Sequence, residues 1–145
     1  MSRFASLLSD AGFKAVLASP RNKKLLAQLL NLVLPEDRQI AEIESYRDRE
    51  VNGFTPFGKY SRVDVRCRDI EGRTFIVEMQ REMHESFFQR CMWYGSNAYG
   101  SDLPVGAEYE DLSPVYVIAF LEKALPHRDE ALWDSERCIS CYQMT

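Results

Sequence analysis

Two acidic residues and a glutamine, Asp64, Glu78 and Gln80, have the types and spacing that divalent-metal chemistry needs. We expect Asp64 and Glu78 to lie opposite each other on adjacent antiparallel strands, with Cβ atoms roughly 5 Å apart. Gln80 lies two residues after Glu78, so it points to the same face of the sheet. Two carboxylates this close repel each other unless a proton or a cation lies between them. A bound Mg²⁺ takes such ligands, activates water and stabilises charge on a phosphodiester, so the pattern suits metal-assisted phosphodiester hydrolysis.

The same pattern also fits a solvated strand face, on which the charged and amide side chains simply point at water. Alternation of polar and apolar residues is general among half-buried strands. However, Ile76 shares the face of Glu78 and Gln80, and the stretch Arg73–Met79 is mostly apolar. These neighbours predict that the polar groups are partly enclosed, which is unfavourable for a carboxylate unless a partner binds it.

A hairpin over Arg62–Gln80 would position these residues. Two runs with period-two alternation are joined by a short loop that ends in glycine, which is a hairpin signal. A three-residue turn over Ile70–Gly72, with Gly72 in the left-handed conformation, places Asp64 directly opposite Glu78. The apolar positions that alternate along the two runs are Val63, Val65, Cys67, Phe75, Val77 and Met79.

The other elements predict an α/β sheet flanked by helices. The uninterrupted apolar run Pro114–Leu121 is typical of a strand buried on both faces. The order strand, helix, strand around it predicts a right-handed crossover. Ser9 or Asp10 can cap the first helix and Asn22 the second. The spacing predicts helices over Asp10–Ala18, Asn22–Leu34 and Glu85–Asp102, a strand over Gln39–Tyr46 and a loop over Val51–Phe57.

The composition indicates one globular domain. A chain of 145 residues, with 46% hydrophobic and 28% charged residues, is neither disordered nor fibrous. No apolar run approaches the roughly 20 residues that span a bilayer, and the N-terminus lacks an apolar stretch of signal-peptide length. The four cysteines are unevenly spaced and do not resemble a secreted disulfide framework. We therefore expect a cytoplasmic protein without a membrane partner.

The formal net charge of −4 is unevenly distributed along the chain. Residues 81–145 hold 5 of the 18 basic residues but 11 of the 22 acidic residues. Because non-specific nucleic-acid binding needs a basic surface, DNA binding by this chain would depend on local basic patches.

Four separated blocks of the sequence resemble a bacterial family, the recombination-promoting nucleases, also known as PD-(D/E)XK nuclease family transposases. The similarity extends from about Asp10 to Glu130, which is most of the chain. The blocks are SDAGFKAVLASPRNKKLLAQLLNLVLPEDRQI, GKYSRVDVRCRDIEGRTFIVEMQ, FFQRCMWYGSNAYG and LSPVYVIAFLEKALPHRDE. Their recurrence in order is far more specific than any single motif.

The resemblance implies a restriction-endonuclease-like core, with a mixed β-sheet flanked by helices, and Mg²⁺-dependent cleavage of double-stranded DNA. Mn²⁺ is expected to substitute for Mg²⁺. Asp64 matches the first acid of the family motif, Glu78 the second acid, and Gln80 the position of the usual lysine. Met79, between the last two, would offer its backbone carbonyl to the metal.

Gln80 departs from the lysine of the wider superfamily, although E-x-Q is common in this branch. A lysine there supplies positive charge, whereas glutamine exchanges only neutral hydrogen bonds. Lys59 and Lys14 are candidates for a compensating charge and for contact with DNA; the alternative for each is a solvated surface lysine. Arg90, which with Tyr94 matches a family block on a helix, either contacts phosphate or pairs with an acid.

The remaining motifs do not predict a second site. Cys138 and Cys141 form a lone C-x-x-C, whereas a structural zinc site needs about four ligands. Similar proteins continue past the HRDE block, so we expect the single domain over residues 1–145 to be truncated at its C-terminus relative to them.

The sequence thus favours a cytoplasmic bacterial Mg²⁺-dependent DNA endonuclease related to transposition and recombination, in which cleavage of both strands calls for a homodimer. The alternative is a catalytically silent DNA-binding or protein-interaction module that retains the nuclease fold. Gln80, the acidic C-terminal half and the short chain favour this alternative.

Overall fold

The computed structural model describes residues 9–47, 49–51, 61–81, 84–122, 133–134 and 139–140. Within these residues the helices are α1 (Asp10–Leu17), α2 (Lys23–Asn31) and α3 (Phe87–Ser101). The strands are β1 (Ile43–Tyr46), β2 (Glu50–Val51), β3 (Ser61–Arg62), β4 (Val65–Asp69), β5 (Thr74–Gln80), β6 (Val115–Leu121), β7 (Trp133–Asp134) and β8 (Ile139–Ser140). Short 3₁₀ turns lie at Pro20–Asn22, Glu36–Arg38 and Tyr109–Asp111.

A four-stranded mixed sheet in the order β1-β4-β5-β6 forms the centre of the fold. The pairs β1–β4 and β4–β5 are antiparallel, whereas β5 and β6 are parallel and are connected through α3. Two further pairs, β2–β3 and β7–β8, are short antiparallel ribbons. The predicted α/β class, with a mixed sheet flanked by helices, is confirmed.

The register of the β4–β5 hairpin is the one that the sequence predicts. Val65 pairs with Val77 and Arg68 with Thr74. Asp64 lies one residue beyond the last of these pairs, and its backbone N–H donates to the Glu78 carboxylate (3.1 Å). The turn closes through the backbone N–H of Gly72, and Gly72 has φ +83°. A Cβ added to Gly72 would lie 3.2 Å from the Arg68 guanidinium, so both the backbone angle and the available space favour glycine here.

Side chains from the two faces of the sheet form two separate cores. Helices α1 and α2 cover one face, and α3 covers the other. The first core comprises Phe13, Leu17, Leu26, Ala27, Leu30, Leu34, Ile40, Ile43, Val65, Cys67, Phe75 and Val77. The second comprises Val63, Ile76, Tyr94 and Ala98. Helices on both faces of one sheet bury both sides of β5, which explains why its strand sequence is largely apolar.

The first helix has the predicted N-terminus, but the second is shorter than predicted. The N–H of Gly12 donates to Ser9 Oγ (3.0 Å), so Ser9 caps α1. Asn22 does not cap α2; its side chain instead donates to the carbonyl of Val16 (2.7 Å). Helix α2 ends at Asn31 rather than Leu34. The side-chain amide of Asn31 bonds both the N–H (2.8 Å) and the carbonyl (2.9 Å) of Ile40, which holds the returning chain against the helix end.

Three other predictions need correction. The strand predicted over Gln39–Tyr46 is confirmed only over Ile43–Tyr46. The N–H and the carbonyl of Ile40 both bond the Asn31 side chain, so Ile40 does not pair within the sheet. Val51, predicted to begin a loop, ends β2, and the rest of that loop lies outside the described residues. Strand β6 is not buried on both faces: every residue in it is partly exposed, because β6 lies at the edge of the described sheet.

A polar network fastens the C-terminal end of α3 to the hairpin. The Arg66 guanidinium lies 3.0 Å from Asp102 Oδ1 and donates to Ser101 Oγ (3.1 Å). Thr74, which is buried, donates its hydroxyl to Asp102 Oδ2 (2.6 Å). This end of α3 is therefore fixed by three polar contacts. In the described part of the chain, no helix has the length and apolar character needed to cross a bilayer.

Candidate functional site

The carboxylates of Asp64 and Glu78 lie together at the open end of the hairpin. Both residues are buried, with exposed fractions of 8% and 5%. The backbone N–H of Asp64 donates to Glu78 Oε1 (3.1 Å), and the backbone N–H of Met79 donates to Asp64 Oδ2 (2.9 Å). Each acid thus accepts a hydrogen bond from the backbone of the opposite chain segment, and these crossed bonds hold both side chains in place.

The alternation of β4 breaks where Asp64 lies. Val63 packs in the core under α3, whereas Val65 packs in the core under α1 and α2. Residues two apart on a regular strand share a face, so the backbone must change direction between them. This irregularity brings Asp64 within reach of α1 as well as β5, which a regular strand would not allow.

A basic side chain contacts each carboxylate. Lys14 Nζ, from α1, lies 3.0 Å from Asp64 Oδ1, and its side chain is 37% exposed. Arg90, from α3, lies at 3.5 Å from Glu78 Oε2, and its guanidinium covers the Tyr94 ring at 5.8 Å. Of the two interpretations of Arg90, the contact with an acid is therefore observed. The site lies where elements from both helical layers meet the end of the sheet.

Glu78 is held in an environment that disfavours its charge. Burial, and then the negative charge of Asp64, raise its pKa from 4.5 to about 7. The Asp64 N–H and the charges of Arg90 and Lys14 oppose this shift but do not cancel it. A carboxyl that is half protonated near neutral pH gives up its proton readily when a cation binds beside it.

The other site residues predicted from sequence are placed as follows. Met79 and Gln80 end β5 and are half-buried, and the Gln80 carbonyl accepts from the N–H of Glu122 (3.1 Å). Lys59 lies outside the described residues, as do Cys138 and Cys141. The structure thus brings Lys14 and Arg90 to the acids and leaves the placement of Lys59 as a prediction.

The donor set fits a hard divalent cation with few protein ligands. Among the described residues, no cluster of three or more His, Cys, Asp or Glu side chains is present that could hold a metal. Asp64 and Glu78, with the Met79 carbonyl, would supply oxygen ligands alone. Mg²⁺ accepts one or two carboxylates and keeps water in its remaining positions, so these residues fit Mg²⁺ and do not form a soft-metal site.

The sequence identifies Lys14, Arg90, Asp64 and Glu78 as candidates, but it does not predict that Lys14 contacts Asp64 or that Arg90 contacts Glu78. Both basic residues lie far from their acids in the sequence, and the contacts depend on how α1 and α3 pack against the sheet ends. The Lys14 contact also requires the strand irregularity at Asp64. No periodicity in the sequence marks that irregularity, because Val63 and Val65 continue the alternating pattern.

Comparison with known protein families identifies the family of the chain. No curated protein and no solved structure matches the chain. The family model of the PD-(D/E)XK nuclease family transposases matches residues 7–144. The four-stranded mixed sheet with flanking helices is consistent with the restriction-endonuclease-like fold of that family. The chain therefore belongs to the PD-(D/E)XK nuclease family transposases.

Proposed function

We propose that this protein is a Mg²⁺-dependent DNA endonuclease, with Asp64 and Glu78 as its metal ligands. The observation that carries the proposal is the crossed hydrogen bonding of two buried carboxylates, each bound to the backbone beside the other. Burying two adjacent acids is unfavourable without a cation, and the raised pKa of Glu78 expresses that cost. Family membership makes nuclease chemistry the natural use of such a pair.

Each of the chain's own groups has a distinct role in this proposal. Asp64, Glu78 and the Met79 carbonyl hold the metal, and Gln80 orients the attacking water through neutral hydrogen bonds. When bound, Mg²⁺ lowers the pKa of a water ligand and stabilises charge on the phosphodiester. Lys14 supplies the positive charge that glutamine at position 80 cannot supply.

Two further basic residues complete the proposal. Arg90 shares its charge between Glu78 and an incoming phosphate, because a guanidinium has five N–H donors and one contact does not exhaust them. Lys59 remains a prediction for phosphate contact. The substrate is double-stranded DNA, and Mn²⁺ is expected to replace Mg²⁺ because both accept oxygen ligands.

The proposal is tested with supercoiled plasmid in the presence of Mg²⁺. We expect the wild type to nick or linearise the plasmid, and Asp64→Asn and Glu78→Gln to reduce the rate at least about a hundredfold. Glu110→Gln removes an exposed acid from the 3₁₀ turn before β6 and serves as the matched control, with unchanged activity. Equal activity in the Asp64→Asn variant would contradict the assignment.

A second candidate is a DNA-binding module without catalysis. The observation that favours it is that Lys14 and Arg90 already contact the two carboxylates, so positive charge is present where a metal would bind. If the wild type retards duplex DNA on a gel but leaves it intact with both Mg²⁺ and Mn²⁺, this second candidate replaces the first.

A further inference from the structure

A cleft of about 480 Å³ lies between the end of α1 and the segment that follows β1. It is a shallow groove that is open to solvent rather than an enclosed pocket. The described residues that line it are Lys14, Ala15, Ala18, Ser19, Tyr46, Arg47 and Arg49. The cleft was not apparent from the sequence, because its two walls come from separate parts of the chain.

The described residues that line the cleft carry a charge opposite in sign to that of the whole chain. Three of its lining residues, Lys14, Arg47 and Arg49, are basic, and none of the described lining residues is acidic. The protein as a whole carries a formal net charge of −4. A basic concavity in an acidic protein concentrates positive potential, and it favours an anionic ligand over a neutral one.

The walls of the cleft are held by hydrogen bonds. Tyr46 donates its hydroxyl to the carbonyl of Leu17 (2.7 Å), which ties the end of β1 to the last turn of α1. The N–H of Arg47 donates to the carbonyl of Arg66 (2.8 Å). The carbonyl of Arg49 accepts from the N–H of Val63 (2.9 Å). Both arginines are thus fixed at the backbone, while their side chains line the cleft.

Lys14 connects this cleft to the proposed active site. It lines the cleft, and its Nζ lies 3.0 Å from Asp64 Oδ1. A ligand that contacts both Lys14 and the two arginines must be extended and must carry several negative charges. Consecutive phosphates of a nucleic-acid strand meet this requirement, because each strand of duplex DNA carries one charge per 3.4 Å along the axis.

We propose that Arg47 and Arg49, together with Lys14, bind the phosphates of the DNA strand next to the phosphate that is cleaved. The proposal rests on the proposed function and deepens it by assigning one side of the DNA path to the α1–β1 cleft. Such contacts are to the backbone, so they add affinity and register but no sequence preference.

The first test measures binding of a fluorescein-labelled 30-base-pair duplex by anisotropy in EDTA, over a range of KCl concentrations. Arg47→Gln/Arg49→Gln removes two cleft charges. We expect the slope of log K against log salt to fall by about two, with an affinity loss of at least about tenfold near 0.1 M salt. Lys24→Gln/Arg38→Gln removes two exposed charges that do not line the cleft and is the matched control. An equal loss in both double variants would overturn the proposal.

The second test locates the DNA directly. A photo-crosslinking amino acid in place of Ala15, which is exposed on the cleft wall, should crosslink the duplex, whereas the same residue in place of Lys24 should not. If position 15 crosslinks no DNA, the cleft is not on the DNA path. Competition by an acidic polypeptide, with no crosslink to DNA, would instead identify the cleft as a protein-binding site and would also reject the proposal.

These outcomes test the DNA-binding role of the cleft independently of the catalytic role of Asp64 and Glu78. Loss of plasmid cleavage in Asp64→Asn with normal binding in the cleft variants would retain the nuclease and reject the cleft. Weakened DNA binding in Arg47→Gln/Arg49→Gln, combined with an inert wild type, would retain the cleft and reject the nuclease.

Discussion

The two ends of the β4–β5 hairpin both bury acidic residues, but the hydrogen bonds and ion pairs of these acids differ. At the turn, Asp69 is 1% exposed and its carboxylate is fully engaged. Its oxygens accept from Arg73 Nε (2.8 Å), from the Arg73 backbone N–H (2.8 Å) and from the Glu71 N–H (3.1 Å), and they lie 2.7 Å from Arg73 Nη2. This end is a closed structural ion pair.

At the open end, each acid has fewer contacts among the described residues. Glu78 accepts one backbone hydrogen bond (3.1 Å) and lies 3.5 Å from the Arg90 guanidinium. Its pKa is raised to about 7, whereas a fully paired carboxylate would favour the charged form. Burial is therefore common to both ends, and the two ends differ in how completely the charge of each buried acid is compensated.

The largest expected effect is at the turn. Asp69→Asn should lower the free energy of unfolding by about 3 kcal/mol, because it leaves the buried Arg73 charge without its main partner. Urea denaturation at pH 7 measures this change. If Asp69→Asn is as stable as the wild type, the turn is not a structural ion pair and the contrast between the two ends fails.

Replacing the carboxyl by an amide at the open end, in Glu78→Gln, should change the stability in the opposite direction to Asp69→Asn. The folded-state pKa of Glu78 is raised, so its stabilising contribution is complete below about pH 4.5 and is lost as the pH rises through about 7. The loss amounts to about 3 kcal/mol. In EDTA, Glu78→Gln should therefore become more stable relative to the wild type between pH 4 and pH 8. Parallel pH profiles of the two proteins, from urea denaturation, would contradict this.

Mg²⁺ should supply the positive charge that Asp64 and Glu78 lack at the open end and should stabilise the protein. At about a hundred times its dissociation constant, Mg²⁺ should stabilise the wild type by about 2.7 kcal/mol at pH 8. The gain should be smaller at pH 5, where Glu78 retains its proton. Asp64→Asn should gain nothing, while Asp69→Asn should still respond. Thermal melts, with KCl matched for ionic strength, separate binding from a general salt effect.

The smallest effect is expected at the rim of the turn. Glu71 lies 3.2 Å from Arg73 Nη2, but its side chain is 58% exposed. Exposed ion pairs contribute little because water screens them, so Glu71→Gln should change stability by less than about 1 kcal/mol. A larger loss in urea denaturation would mean that Asp69 does not satisfy Arg73 by itself.

The sequence was sufficient to predict the hairpin register because two local signals agree. The alternation of apolar residues sets the faces, and Gly72 sets the turn, so the register from Val65–Val77 to Arg68–Thr74 follows. Both signals are short-range. They require no knowledge of how the rest of the chain packs.

The features that the sequence did not predict depend on tertiary packing. An apolar run such as Val115–Leu121 has the same sequence pattern at the centre and at the edge of a sheet. The sequence therefore does not predict the exposure of β6. The contact of Lys14 with Asp64, and the cleft formed with Arg47, depend on where α1 lies against the sheet. Helix propensity and spacing do not determine that placement.

Because α3 is held at its C-terminal end, a tilt of the helix about that end would displace Arg90 at the site. Asp102 is the fixed point, because Arg66 and Thr74 both contact it. Arg90 lies twelve residues nearer the N-terminus. At 1.5 Å per residue this arm is about 18 Å long, so a tilt of about 5° displaces Arg90 by about 1.5 Å. A small pivot of one helix is thus enough to move the guanidinium away from Glu78.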